Sequence, residues 1–145
     1  MSEPFDLIGI GVGPFNLSLA ALLEKVPGVR ARFFDRKPAF DWHPEIMFAD
    51  STMQTTYLKD LVTPVDPTNP CSFLNYLVEN RLFYRFIHTQ RSSISRREFE
   101  QYCQWVSGKL AHKLQFDTDV RSVRFAGDEF VIETSNGEYR STNLC

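Results

Sequence analysis

At 145 residues the chain is long enough for one packed domain and too short for two. Hydrophobic residues make up 43% of it, which excludes an intrinsically disordered chain. The net charge of −2 leaves no basic excess to neutralise phosphates, so nucleic acid is not an expected partner.

The cysteines, Cys71, Cys103 and Cys145, are odd in number and widely spaced. No CxxC pair occurs, so no zinc or other metal site is expected, and the usage suits a reducing cytosol. Met1–Asp6 carries neither a charged nor an apolar leader segment. No apolar stretch approaches the ~20 residues of a membrane span. A soluble, cytoplasmic protein is expected.

In chain order, Phe5–Ile10 (FDLIGI) is a short apolar run ending at glycine, the pattern of a buried parallel strand. Pro14–Lys25 is rich in Leu and Ala and predicts a helix with proline in its first turn. Pro27-Gly28 ends it, and Val29–Asp35 (VRARFFD) predicts a second strand. The three form a βαβ opening. Arg36–Pro70 holds five prolines and little periodicity. So long a stretch without regular structure, yet with Trp42, Phe48, Met53 and Tyr57, predicts an ordered loop facing a ligand.

Ser72–Asn80 then spaces Phe73, Leu74, Tyr76 and Leu77 as a helix face. Ser95–Lys113 is a clearer helix: Ser95 and Glu98 form a capping box, and Phe99, Tyr102, Cys103, Val106 and Leu110 form one apolar stripe. Three strands should follow, at Asp119–Phe125, Glu129–Thr134 and Tyr139–Cys145, with Gly127 and Asn136-Gly137 in the turns. They predict a small antiparallel meander covering one side of the parallel sheet.

Gly11-Val12-Gly13-Pro14-Phe15-Asn16 lies between a strand and a helix. The first glycine permits a tight turn, and the second lets the backbone approach a pyrophosphate at the helix N-terminus. Asn16 stands where a third glycine is usual; its amide could bond a phosphate or a neighbouring loop. Asp35 follows Gly11 by 24 residues, at the end of the second strand, the place of an acid that grips a ribose 2′-hydroxyl. The plainer alternative is a tight strand–helix turn beside a solvated acid. An acid here suits FAD or NAD better than a 2′-phosphorylated nucleotide.

Beyond Asp35 come FFDRKPAFDWHP, MQTTYLKDL, DPTNP and SRREFEQY. Together with GVGPFNLSLAAL they resemble, in order and over essentially the whole chain, the lysine/ornithine N-monooxygenases of siderophore pathways. The resemblance is nearest to bacterial lysine N6-hydroxylases and diamine N-hydroxylases. It implies a Rossmann-like α/β fold of the two-dinucleotide flavoprotein type. It also implies an FAD- and NADPH-dependent enzyme that uses O2 to hydroxylate a side-chain primary amine, later acylated to an iron-binding hydroxamate.

By this resemblance Gly11, Gly13 and Asp35, with Val12, Pro14, Asn16 and Arg36 around them, hold the ADP half of FAD. Val120 meets the adenine through its backbone. Trp42 and His43 continue the cofactor wall, Gln54 lies by the flavin and Lys59 by the substrate. Each also has a plain structural reading. Trp42 could anchor a loop in the core. His43, before Pro44, should be extended. Gln54 and Lys59 could be solvated surface residues.

The family enzymes are roughly three times longer, and no second glycine loop for NADPH occurs in this chain. Residues 1–145 are therefore expected to be an incomplete N-terminal FAD-binding domain, unable alone to hydroxylate amines, whose last strand leaves an exposed edge. Such an edge invites self-association, and a homo-oligomer is the expectation for the full-length enzyme. Two alternatives remain on the sequence: an NAD-dependent dehydrogenase domain, and a non-catalytic nucleotide-binding remnant.

Overall fold

The computed structural model describes residues 3–145. β1 (Phe5–Ile10) leads into α1 (Pro14–Leu22), which tightens into a 3-10 turn at Leu23–Lys25 before β2 (Ala31–Phe34). β1 and β2 pair in parallel, with Leu7 opposite Ala31 and Ile10 opposite Phe34. Alternation along β2 sends Phe33 and Phe34 to opposite faces, and both are fully buried. On the Phe33 face, α1 packs with Leu17, Ala20 and Ala21 buried. The alanines let the helix backbone come close to the sheet.

Gly9 is the close-approach residue of β1. A Cβ there would stand 2.2 Å from the Phe33 ring. Only hydrogen fits between this strand and its neighbour's side chain.

From Arg36 to Pro70 the chain has almost no regular structure, as its prolines predict. A 3-10 turn at Pro44–Ile46 and one bridge, Thr52 to Ser95, are its ordered backbone features. The segment is nonetheless fixed. Tyr102 donates its hydroxyl hydrogen to the Cys71 carbonyl (2.7 Å) and accepts the Leu61 N–H (3.3 Å). The Ser18 hydroxyl donates to the Leu61 carbonyl. Leu61 and Val62 are buried in the same core as α1.

Three helices follow: α2 (Phe73–Glu79), α3 (Phe83–Ile87) and α4 (Arg96–Lys109). The α4 stripe, Phe99, Tyr102, Cys103, Val106 and Leu110, is buried as its spacing requires. Tyr102 meets Phe73 edge-on at 5.5 Å, and Phe73 meets Phe86 of α3 likewise at 5.5 Å. α3 has no counterpart in the predicted elements, because five residues are too few to show a period. The capping box is formed: Glu98 N–H donates to Ser95 Oγ, and Ser95 N–H donates to the Glu98 carboxylate.

α4 ends at Lys109, short of the expected Lys113. The freed residues reach β3 (Leu114–Gln115), a two-residue strand that extends the parallel sheet beside β2 and that periodicity could not show. β4 (Val120–Ala126), β5 (Glu129–Thr134) and β6 (Gly137–Leu144) form the meander. Its side chains Ile132, Phe130 and Tyr139 pack with Ile8 and Phe34 on the face away from α1. Tyr139 and Phe34 lie 4.7 Å apart between ring centroids.

The expected exposed last strand is corrected. β6 pairs in parallel with β1 on one side and antiparallel with β5 on the other, so Ser141 opposes both Phe5 and Phe130. The strand order is β3-β2-β1-β6-β5-β4, and the edges are β3 and β4. In this place the backbone of β6 finds hydrogen-bonding partners in β1 and in β5, so it leaves no free edge. Among the described residues, no helix is long and apolar enough to cross a membrane.

Candidate functional site

The carboxyl ends of β1 and β2 open into a groove of about 320 Å³, lined by Gly11, Phe34, Asp35, Arg36, Thr118 and Val120 among others. In parallel α/β sheets ligands bind outside the carboxyl ends of the strands, and this groove lies there. It brings together four of the residues singled out in the sequence, Gly11, Asp35, Arg36 and Val120, from positions more than a hundred residues apart.

Asp35 is its organising residue. One carboxylate oxygen accepts the buried Val12 N–H at 2.7 Å, and the other accepts the Lys37 N–H at 2.9 Å. Its backbone N–H donates to the Gln115 carbonyl (3.0 Å), and its carbonyl accepts the Thr118 N–H (2.9 Å). Glycine loop, β2 and the β3–β4 connection are thereby joined at one residue, the loop through its side chain and the connection through its backbone. Arg36 beside it is exposed at the rim.

Gly11 has φ +84° and donates its N–H to the Phe34 carbonyl at 2.7 Å, so the turn out of β1 requires glycine. Gly13 is different. As N-cap of α1 it has φ −90°, which any residue adopts, and an added Cβ would meet no atom within 4 Å. No contact inside the protein demands glycine there. A ligand lying against the backbone would, and the first-turn N–H groups of α1, which have no intrahelical acceptor, face the same end. Pro14 takes the first helical position, where it removes no bond.

Asn16 does not offer its amide outward. Its Nδ2 donates to the Gly11 carbonyl at 2.8 Å and to the Ile10 carbonyl at 3.3 Å, while its Oδ1 accepts the Cys145 thiol at 3.0 Å. Of the two roles the sequence allowed, it holds its own loop in shape.

Trp42, His43, Gln54 and Lys59 do not line this groove. The half-buried Trp42 indole packs edge-on to Phe99 at 5.1 Å, under the Arg96 guanidinium at 5.7 Å, and the Trp42 backbone N–H donates to the Glu100 carboxylate at 3.0 Å. That contact set is the loop-anchoring alternative. His43 is not extended, as a residue before proline should be: its φ of 50° and ψ of 52° are left-handed. Its carbonyl accepts the Ile46 N–H at 3.1 Å, and that 3-10 turn, held at Trp42 by Glu100, outweighs the local preference.

Gln54 and Lys59 are exposed. The loop that carries them is anchored by Asp60, which sequence reasoning passed over. Asp60 accepts the Val62 and Thr63 N–H groups (2.9 and 2.6 Å), the Thr63 hydroxyl (2.8 Å) and the Phe73 N–H at the start of α2 (2.6 Å). An aspartate three residues before a threonine is a legible turn signal. The bond to Phe73 is not, since it spans 13 residues. A second concavity, of about 310 Å³ between α2, α3 and α4, holds none of the predicted site residues.

Comparison with known proteins places this geometry in a family. The profile of the L-lysine 6-monooxygenase/L-ornithine 5-monooxygenase family matches residues 3–145. The chain belongs to that family. It is 44% identical over 147 residues to the L-lysine N6-monooxygenase of Escherichia coli, covering 100% of this chain and 34% of that protein. It is 40% identical over 145 residues to a putrescine N-hydroxylase of Shewanella oneidensis, covering 97% of this chain and 29% of that protein.

Among solved structures, the FAD-bound cadaverine monooxygenase of the Erwinia amylovora desferrioxamine pathway superposes with a TM-score of 0.94 at 35% identity. The match covers 99% of this chain and 35% of that one. An ornithine N-hydroxylase of Kutzneria, solved with reduced FAD, NADP+ and L-ornithine, gives 0.92 at 32% identity, over 98% of this chain and 36% of that one. The fold is therefore the Rossmann-like fold of N-hydroxylating flavin monooxygenases. The chain spans about a third of the length of the curated relatives it matches.

Proposed function

We propose that these residues form the FAD-binding part of a monooxygenase that N-hydroxylates a small primary amine with NADPH and O2, in hydroxamate siderophore synthesis. One observation carries the reading. The groove joins a glycine loop at a helix N-terminus, an aspartate fixed at the end of β2, and a third wall from the β3–β4 connection, as an ADP moiety requires. Membership of the family and the relatives' substrates (lysine, ornithine, cadaverine, putrescine) support it.

In this reading the N–H groups around Gly13 meet the pyrophosphate, and Asp35 meets the ribose. Bound FAD supplies the redox chemistry and oxygen activation. The residues described here supply binding and orientation. Arg36 sits where a phosphate or base edge would pass, and Val120 presents its backbone to the adenine. Trp42, His43, Gln54 and Lys59 belong to the flavin and substrate side, whose remaining walls we assign to the part of the relatives that this chain does not span. The NADPH site is assigned there too, since this sequence has one glycine loop. The cysteine usage supports a cytosolic setting.

The test is direct. FAD and ADP should compete for the full-length apoprotein, NADP+ should not displace them, and the full-length protein should form hydroxylamine from one of the four amines with NADPH. Binding of NAD+ in preference to FAD would favour a dehydrogenase domain instead.

A further inference from the structure

The outer wall of the groove, Thr118–Val120, is not held by the parallel sheet alone. Thr118 is 1% exposed, and its hydroxyl is saturated. It donates to the Phe116 carbonyl (3.0 Å) and accepts from Gln115 Nε2 (3.2 Å) and from Asn136 Nδ2 (2.8 Å). Asn136 lies in the β5–β6 turn, 18 residues away. Two further bonds tie the same turn to the same wall: Ser135 N–H donates to the Asp119 carbonyl at 2.8 Å, and Asp119 N–H donates to Ser135 Oγ at 3.1 Å. Gln115 Nε2 also reaches the Tyr139 hydroxyl of β6 at 3.3 Å.

On its inner side the wall meets Asp35 and Lys37. Asp117 and Thr118 donate their N–H groups to the Lys37 and Asp35 carbonyls, each at 2.9 Å. Asp117 between these contacts is left-handed, with φ 51°. The connection is thus clamped between β2 and the tip of the meander, and its conformation is not one a free loop would prefer.

We propose that Asn136 is a positioning residue for the dinucleotide: through the Thr118 hydroxyl, the β5–β6 turn sets the width of the adenosine end of the groove. This rests on the assignment of the groove to the ADP half of FAD. It gives the meander a function in affinity for the nucleotide besides covering the sheet.

The experiment measures FAD, ADP and FMN binding to the full-length apoprotein and to three variants of it. Asn136→Ala and Thr118→Val should weaken FAD and ADP by a common factor of about five to ten, the loss of one net hydrogen bond. Thr118→Ser, which keeps the hydroxyl, should restore both. FMN lacks the adenosine, so its affinity should be the same in all four proteins. Undiminished FAD and ADP affinity in folded Asn136→Ala and Thr118→Val would overturn the proposal and leave the groove assignment standing. Equal losses for FMN would also overturn it, since they would mark general destabilisation. Failure of the unaltered full-length apoprotein to bind either FAD or ADP would overturn the groove assignment, and this inference with it.

Discussion

The Asp35 carboxylate accepts the N–H of Val12 at 2.7 Å, bridging the end of β2 to the glycine loop across 23 residues. Asp35 is 8% exposed and its second oxygen holds the Lys37 N–H, so the acid shapes the loop, in addition to the ribose contact proposed for it. Asp35→Ala leaves the Val12 N–H buried without a partner. It should destabilise the fold by about 1–3 kcal/mol and weaken FAD at least tenfold. Asp35→Asn keeps one acceptor for Val12 and should recover most of the stability while recovering less of the FAD affinity. Urea unfolding and fluorescence titration of the two variants separate the roles. Identical recovery of both quantities would tell against a direct ribose contact.

Lys59 is exposed on a loop fixed by Asp60, with its ammonium directed by no ion pair among the described residues. In the full-length protein Lys59→Ala should raise KM for lysine or ornithine far more than it slows NADPH oxidation. A diamine such as putrescine or cadaverine has no carboxylate for the ammonium to hold, and its KM should change little. Steady-state kinetics on both substrate types decide the matter. Equal losses would assign Lys59 a structural part.

Gly9 and Gly108 are both glycines within regular elements, with opposite expectations. Gly9→Ala drives a methyl to 2.2 Å from Phe33, whose ring is fully buried and has nowhere to move. The cost should be about 1–3 kcal/mol. Gly108 lies in α4 with nothing within 4 Å of an added Cβ, so Gly108→Ala should stabilise by about 0.5–1 kcal/mol. Thermal unfolding of the two variants should shift Tm in opposite directions.

Glu98 supplies a pH dependence. Burial works against its ionisation, but the Arg91 guanidinium and the Ser95 N–H outweigh burial and hold the carboxyl below its ordinary value of 4.5. The unfolded chain therefore takes up this proton at a higher pH than the folded chain. The stabilisation is complete above the ordinary carboxylate range and is lost as pH falls through the depressed folded value. Glu98→Gln should flatten that acid limb and lower stability at neutral pH by about 0.5–1 kcal/mol, in the range of a weakened cap and a surface ion pair. Denaturant midpoints from pH 3 to pH 7, as an order-of-magnitude span around the carboxylate range, provide the measurement.

The sequence by itself determined the parts that local chemistry encodes. Phe5–Ile10 is an apolar run that forms a strand, Gly11 permits the turn, Pro14 opens the helix, and Ser95 with Glu98 caps α4. The family motifs were legible for the same reason: GVGPFNLSLAAL and MQTTYLKDL are contiguous. What only the tertiary structure decided are the relations between distant segments. The placement of β6 inside the sheet, the two-residue β3 beside β2, and the closure of the groove by Thr118 each depend on partners far away in the chain. His43 shows the same point in one residue. Its sequence neighbour Pro44 favours an extended backbone, but the Glu100 carboxylate 58 residues from Trp42 and the turn to Ile46 hold it left-handed. Hydrogen bonds whose partners are brought together by a packed core outweigh the preference of a single peptide unit, and that preference is all the local sequence can express.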